Sequence, residues 1–109
     1  MTYHKSLANG KWNNLTFLEQ MANIGSEVER AIRWKLKGND SYFDRAVDRM
    51  LELIDLTAAD PSNKKRLREL MRVRELLVDF LLYDNEYRST DIMWKRYFMS
   101  FTHAARRSR

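Results

Sequence analysis

The chain contains no cysteine, one proline and three glycines among its 109 residues. The missing cysteine removes disulfides, thiol catalysis and thiolate metal sites together, and it suits a reducing cytoplasm. One proline and three glycines are too few for the many tight turns of an all-β protein. Histidine is scarce as well, with only His4 and His103. There is no His-Glu-x-x-His or Glu-x-x-His pair, and Glu27 with Glu29 does not make up a di-metal site. Neither a metal nor an organic cofactor is therefore expected. No glycine-rich phosphate loop and no Gly-x-Ser-x-Gly nucleophile context occurs. Long hydrophobic runs are also missing, so neither a secretory leader nor a membrane span is expected.

What the chain does have is apolar residues at 44%, well supplied with Leu, Met, Phe, Tyr and Trp. That content argues against disorder, and the length suits one domain with a real core. The net charge of +5 is unevenly placed. Residues 1–37 carry six cations and three acids, whereas residues 38–60 carry two cations and six acids. Residues 61–76 reverse the balance with six cations and two acids, and residues 77–109 carry six and four. One acidic segment therefore lies between basic ones, an arrangement that serves solubility, helix pairing or anion binding.

Residues 1–15 show no clear period and read as an N-terminal arm, with Leu7, Trp12 and Leu15 free to pack on the body. Residues 16–109 read as one four-helix domain. Thr16-Phe17-Leu18-Glu19 is a capping-box pattern, and Phe17, Met21, Ile24, Val28, Ala31 and Ile32 follow at helical spacing. Gly38-Asn39 supplies the stop. A second helix opens at Asp40 or Ser41, with Phe43, Ala46, Val47, Met50, Leu51, Ile54 and Ala58 on its apolar stripe, and Pro61 ends it. The third spans roughly 63–83, with Leu67, Leu70, Met71, Val73, Leu77, Val78, Phe80 and Leu81. After Asp84-Asn85-Glu86-Tyr87 breaks the period, Ser89 or Thr90 caps a fourth helix carrying Met93, Trp94, Tyr97, Phe98, Phe101, Ala104 and Ala105. Short connections between long amphipathic helices predict an all-α, up-down antiparallel four-helix bundle.

Lys64, Lys65, Arg66 and Arg68 stand at the start of that third helix, where the dipole disfavours cations. With Arg72 and the tail residues Arg106, Arg107 and Arg109 they form a candidate nucleic-acid-binding surface, acting through phosphate neutralisation. Trp34, Trp94 or Tyr97 would offer base stacking if exposed. No helix-turn-helix signature accompanies them, so sequence-specific readout is not expected. The same cations can instead answer Asp55, Asp60 and the acidic second helix. A second candidate is a polar network of Glu27, Arg74, Asp79 and Glu86 beside the Asp84–Tyr87 turn. Arg74 lies on the leucine stripe and must either snorkel or pair with a carboxylate such as Glu27, Asp55 or Asp79.

Arg96 and His103 lie seven positions apart, about 20° from one another around a helix. Their spacing resembles the Arg-x4–6-His motif of the HEPN (higher eukaryotes and prokaryotes nucleotide-binding) families of small helical bundles. The resemblance implies a metal-independent ribonuclease cleft between two subunits, with Arg96 holding phosphate and His103 moving a proton. The chain departs from the family pattern in having Tyr97, where a polar residue, often Asn, follows the Arg. Three phrases, Gly25-Ser26-Glu27-Val28-Glu29-Arg30-Ala31, Leu53-Ile54-Asp55-Leu56-Thr57 and Asp84-Asn85-Glu86-Tyr87, resemble a small prokaryotic family of short helical proteins across most of the chain. That resemblance implies a small cytoplasmic bundle and assigns no activity.

The last helix is aromatic over more of its circumference than one core stripe requires, which predicts a partner surface and a homodimer formed through it. The functional expectation is a non-enzymatic helical interaction or accessory protein, with HEPN-like RNA binding or cleavage through Arg96 and His103 as the alternative.

Overall fold

The computed structural model describes residues 10–107, and these are helical nearly throughout, with no strand among them. Four helices build the body: α1 (Phe17–Leu36), α2 (Asp40–Ala59), α3 (Leu67–Leu82) and α4 (Asp91–Arg107). Two 3-10 segments, Lys11–Asn14 and Pro61–Arg66, precede α1 and α3. α1 packs along α2 on one side and α4 on the other, and α2 meets α3. The result is the expected all-α four-helix bundle.

Local chemistry explains each boundary. Thr16 accepts the Glu19 amide at 3.1 Å while the Glu19 carboxylate accepts the Thr16 amide at 2.9 Å, a complete capping box. At the other end Gly38 adopts a φ of 71°, which lets its own amide reach the Lys35 carbonyl and the Asn39 amide reach the Trp34 carbonyl. This paired closure is the Schellman arrangement, and it suits glycine because a left-handed residue with a Cβ is strained. The Asn39 side chain then accepts the Tyr42 amide at 3.0 Å and starts α2. Thr90 does the same for Met93 at the start of α4.

The core is aliphatic at its centre, where Met21, Ile24, Met50, Ile54, Leu70 and Leu77 are wholly buried. Each such side chain contributes about 1.5–3 kcal/mol relative to leaving it exposed. Between α1 and α4 the packing is closest at Gly25, where an added Cβ would stand 2.6 Å from the Phe98 Cβ. The aromatic residues of α4 form an inward chain, with Trp94–Phe98 centroids 5.9 Å apart, Tyr97–Phe98 5.0 Å and Tyr97–Phe101 5.2 Å. Phe101 continues it to Phe17 of α1 at 6.0 Å. The aromatic width of this helix is thus largely taken up inside the bundle.

The expected third helix, 63–83, is two pieces. Residues Pro61–Arg66 are 3-10 and α3 begins only at Leu67. The reason lies in buried side chains. The Asp60 carboxylate accepts the Ser62 amide at 3.0 Å and the Ser62 hydroxyl at 2.6 Å, folding the chain tightly around Pro61. Asn63 is then drawn inward, donating to Gln20 Oε1 at 2.8 Å and to the Thr57 carbonyl at 2.9 Å. Lys64, Lys65 and Arg66 therefore occupy the last turn of a 3-10 segment that leads directly into α3, with Arg66 at the N-cap of that helix.

The same cluster anchors the leading arm. Trp12 is buried, and its indole N–H donates to the Thr57 hydroxyl at 2.9 Å. Gln20 Nε2 donates to the Trp12 carbonyl at 3.1 Å and to Asp60 Oδ2 at 2.9 Å. The Thr57 hydroxyl in turn donates to the Leu53 carbonyl at 2.7 Å. Leu15 packs half-buried against the core, whereas Leu7 lies outside the described residues.

Candidate functional site

A groove of about 560 Å³ lies on the outer side of α3, closed at one end by the segment between α3 and α4. Met71 and Val78 contribute apolar surface from α3, and Tyr83 and Tyr87 from the connecting segment. Arg74, Glu75, Asp79, Asp84 and Glu86 supply charge, four carboxylates to one cation. Asp79 shapes the wall. Its carboxylate accepts the Glu86 amide at 2.9 Å and the Tyr87 amide at 3.1 Å, while its carbonyl accepts the Tyr83 and Asn85 amides. Asn85 takes a φ of 52° and exchanges two side-chain hydrogen bonds with the Ser89 backbone, both 2.9 Å. Tyr87 then folds back on α3, its hydroxyl donating to Glu75 Oε1 at 3.2 Å and its ring lying 5.0 Å from the Arg72 guanidinium.

Three of the four residues expected to form a polar network, Arg74, Asp79 and Glu86, line this groove. Glu27 does not. It is buried on α1, where Oε1 pairs with Arg30 at 2.8 Å and Oε2 has no hydrogen-bond partner among the described residues. Arg74 pairs with Asp55 of α2 at 3.5 Å, and both side chains remain substantially exposed. Such an exposed pair is worth about 0–1 kcal/mol and fixes register only weakly. The buried polar cluster of the fold is instead Trp12, Gln20, Thr57, Asp60 and Asn63, which was not picked out from the sequence. Its signal was the run Asp60-Pro61-Ser62-Asn63, a turn composition next to a predicted helix end. The Ser62 hydroxyl, followed by Gln20 and the Ser62 amide, holds the Asp60 carboxyl below its ordinary value despite burial.

The basic residues divide into two kinds. Arg66 pairs with Glu69 at 3.0 Å and lies 4.8 Å over the Phe17 ring, and Arg72 pairs with Glu75 at 3.3 Å. Lys64, Lys65 and Arg68 are exposed and have no ion pair among the described residues. The aromatic residues expected to stack bases are placed elsewhere. Trp94 is buried, and Tyr97 is half-buried with its hydroxyl donating to Glu69 at 3.1 Å. Burial, followed by the Glu69 charge, pushes the Tyr97 hydroxyl pKa up. Trp34 packs on Tyr42 at 4.7 Å near the opposite end of α1 from Phe17 and Arg66.

Arg96 and His103 both stand exposed on the outer side of α4. Neither has a hydrogen-bond or ion-pair partner among the described residues. Beside them Ile92, Met93 and Met99 are exposed, interrupted by Lys95, Arg96, Ser100 and His103. A smaller recess of about 320 Å³ opens between α1 and α4, lined in part by Gly25, Ser26, Trp94 and Thr102. The Trp94 indole N–H is buried with no hydrogen-bond partner among the described residues. Among the described residues no group of three His, Cys, Asp or Glu side chains is arranged to hold a metal, and His4 lies outside them. No described helix is long and apolar enough to cross a membrane.

No protein-family model, no curated protein and no solved structure matches this chain. The functional reading therefore rests on geometry.

Proposed function

We propose that this protein is a non-enzymatic helical interaction protein that works as a homodimer. The observation that carries the reading is the state of Arg96 and His103. A histidine that moves protons needs a partner to fix its tautomer and orientation, and an arginine that grips phosphate needs to be held. Both side chains project from the outer face of α4, and among the described residues of the single chain neither has such support.

Surface composition favours association over chemistry. Leu67, Met71, Leu82, Tyr83 and Tyr87 are all exposed along one helix and the turn that follows it. Clustered exposed apolar side chains of this size mark interaction surfaces. The polar groups best fixed in place, Trp12, Gln20, Thr57, Asp60 and Asn63, are buried and bonded to one another, so they hold the fold and present nothing to a substrate.

The test is incubation of the wild-type protein with single-stranded and structured RNA, in parallel with His103→Ala. The expected result is no cleavage by either. Cleavage by the wild type that His103→Ala abolishes would overturn the non-enzymatic reading and favour the ribonuclease alternative.

A further inference from the structure

α3 carries a second apolar stripe on the side turned away from the core. Leu67, Met71 and Leu82 are 41%, 38% and 45% exposed, and Val78 is half-buried between them. At 100° per residue these four lie within about 60° of one another. Their spacing is symmetric: the midpoint of Leu67 and Leu82 is also the midpoint of Met71 and Val78, and it falls between Arg74 and Glu75. That point is also the centre of α3. A second α3 laid antiparallel on the first would therefore match Leu67 with the partner's Leu82 and Met71 with the partner's Val78. A two-fold contact needs this self-complementarity, because the same patch must serve both subunits.

Charge along the stripe has the same symmetry with opposite signs. Before Leu67 and just after it stand the exposed, unpaired Lys64, Lys65 and Arg68. Beyond Leu82 stand Asp84 and Glu86, exposed and also without an ion pair among the described residues. Antiparallel pairing places the cations of each subunit beside the carboxylates of the other, twice over. Arg74 meets its own copy near the two-fold axis, and each is already neutralised by Asp55 of its own subunit at 3.5 Å. The exposed Tyr83 and Tyr87 rings, which border the groove, extend the apolar contact on either side.

The outer side of α4 lacks this pattern. About its centre at Met99 an antiparallel copy would set the exposed Ile92 against the partner's Arg106 and the exposed Met93 against the partner's Ala105, so its apolar residues do not match one another.

We propose that two copies of this chain pair through α3, antiparallel about a two-fold axis, with Lys64, Lys65 and Arg68 of each facing Asp84 and Glu86 of the other. The proposal rests on the homodimer reading above and specifies its surface. It assigns the basic block a protein partner of the chain's own kind.

Two charge-reversed proteins test it by sedimentation: Lys64→Glu/Lys65→Glu, which is acidic at both ends of the stripe, and Asp84→Lys/Glu86→Lys, which is basic at both. Each alone should dimerise at least about tenfold more weakly than wild type, since most of the end contacts become repulsive. Mixed in equal amounts they should form a heterodimer, because both ends are then complementary. Recovery on mixing also shows that both variants are folded. Met93→Glu on α4 should leave the dimer intact. Reversed proteins that dimerise like wild type, a mixture that stays monomeric, or a dimer lost in Met93→Glu would each overturn the α3 assignment. A wild-type protein that is monomeric throughout would instead remove the homodimer reading beneath it. Lys64→Glu/Lys65→Glu that loses binding to a generic oligonucleotide while keeping its dimer would assign the block to nucleic acid and overturn the proposal.

Discussion

The Trp12 indole N–H donates to the Thr57 hydroxyl at 2.9 Å, joining residues 45 positions apart at the end of the bundle where the arm, α2 and the second 3-10 segment meet. Thr57 also donates to the Leu53 carbonyl, so one hydroxyl serves both as acceptor and donor inside the core. Thr57→Val keeps the shape and removes both roles, leaving the Trp12 N–H buried without a partner. The expected loss is about 1–3 kcal/mol in urea unfolding. Trp12→Ala empties a wholly buried site and should cost about 3–5 kcal/mol.

Asp60 links the same cluster to pH. Its carboxyl pKa is held below the ordinary 3.8, first by the Ser62 hydroxyl and then by Gln20 and the Ser62 amide. A folded-state pKa below the unfolded one adds stability that is present in full above the unfolded value and is lost as pH falls through the folded value. Wild type should therefore lose the Asp60 contribution below about pH 4. Asp60→Asn should be less stable at neutral pH and show a shallower acid limb. Urea midpoints measured from neutral pH downward check both slopes.

Gly25 sets the approach of α1 to α4. Alanine in a helix interior normally gains about 1 kcal/mol over glycine. Here the new Cβ would stand 2.6 Å from the Phe98 Cβ, an atom close to the α4 backbone that cannot swing aside. Overpacking of this kind costs about 1–3 kcal/mol. Gly25→Ala is expected to be destabilising, and a thermal midpoint above wild type would contradict the packing described.

The basic block should separate into residues that serve the fold and residues that do not. Arg66→Ala removes both its pair with Glu69 and its contact over Phe17, for an expected loss of about 1 kcal/mol. Lys64→Ala and Lys65→Ala should leave stability within about 0.5 kcal/mol of wild type. Chemical denaturation of the three single variants distinguishes them.

The helices were readable because their signals are local. The Thr16–Glu19 capping box, the Gly38 stop and the 3.6-residue stripes each depend on neighbours a few positions away, and each recurs in the structure. The arm was partly readable: Trp12 looked free to pack, but nothing in the sequence told that it would bond to Thr57. That contact, like those of Gln20 with Asp60 and Asn63, joins distant positions and has no periodic signature. The split at Pro61–Arg66 was missed for the same reason, since a run of helix-forming Lys and Arg gave no sign that Asn63 would be pulled inward. At the candidate site Arg74, Asp79 and Glu86 were found by their places beside a loop and on a leucine stripe. Glu27 is named only as a carboxylate that could pair with Arg74, and no local signal tells that it pairs with Arg30 on its own helix while Asp55 meets Arg74.

Self-association is the property on which the proposed function depends most directly. Sedimentation equilibrium of the wild-type protein over a concentration series should give a mass approaching twice the 13.1 kDa of one chain as concentration rises. A mass that stays at 13.1 kDa at every concentration would contradict it.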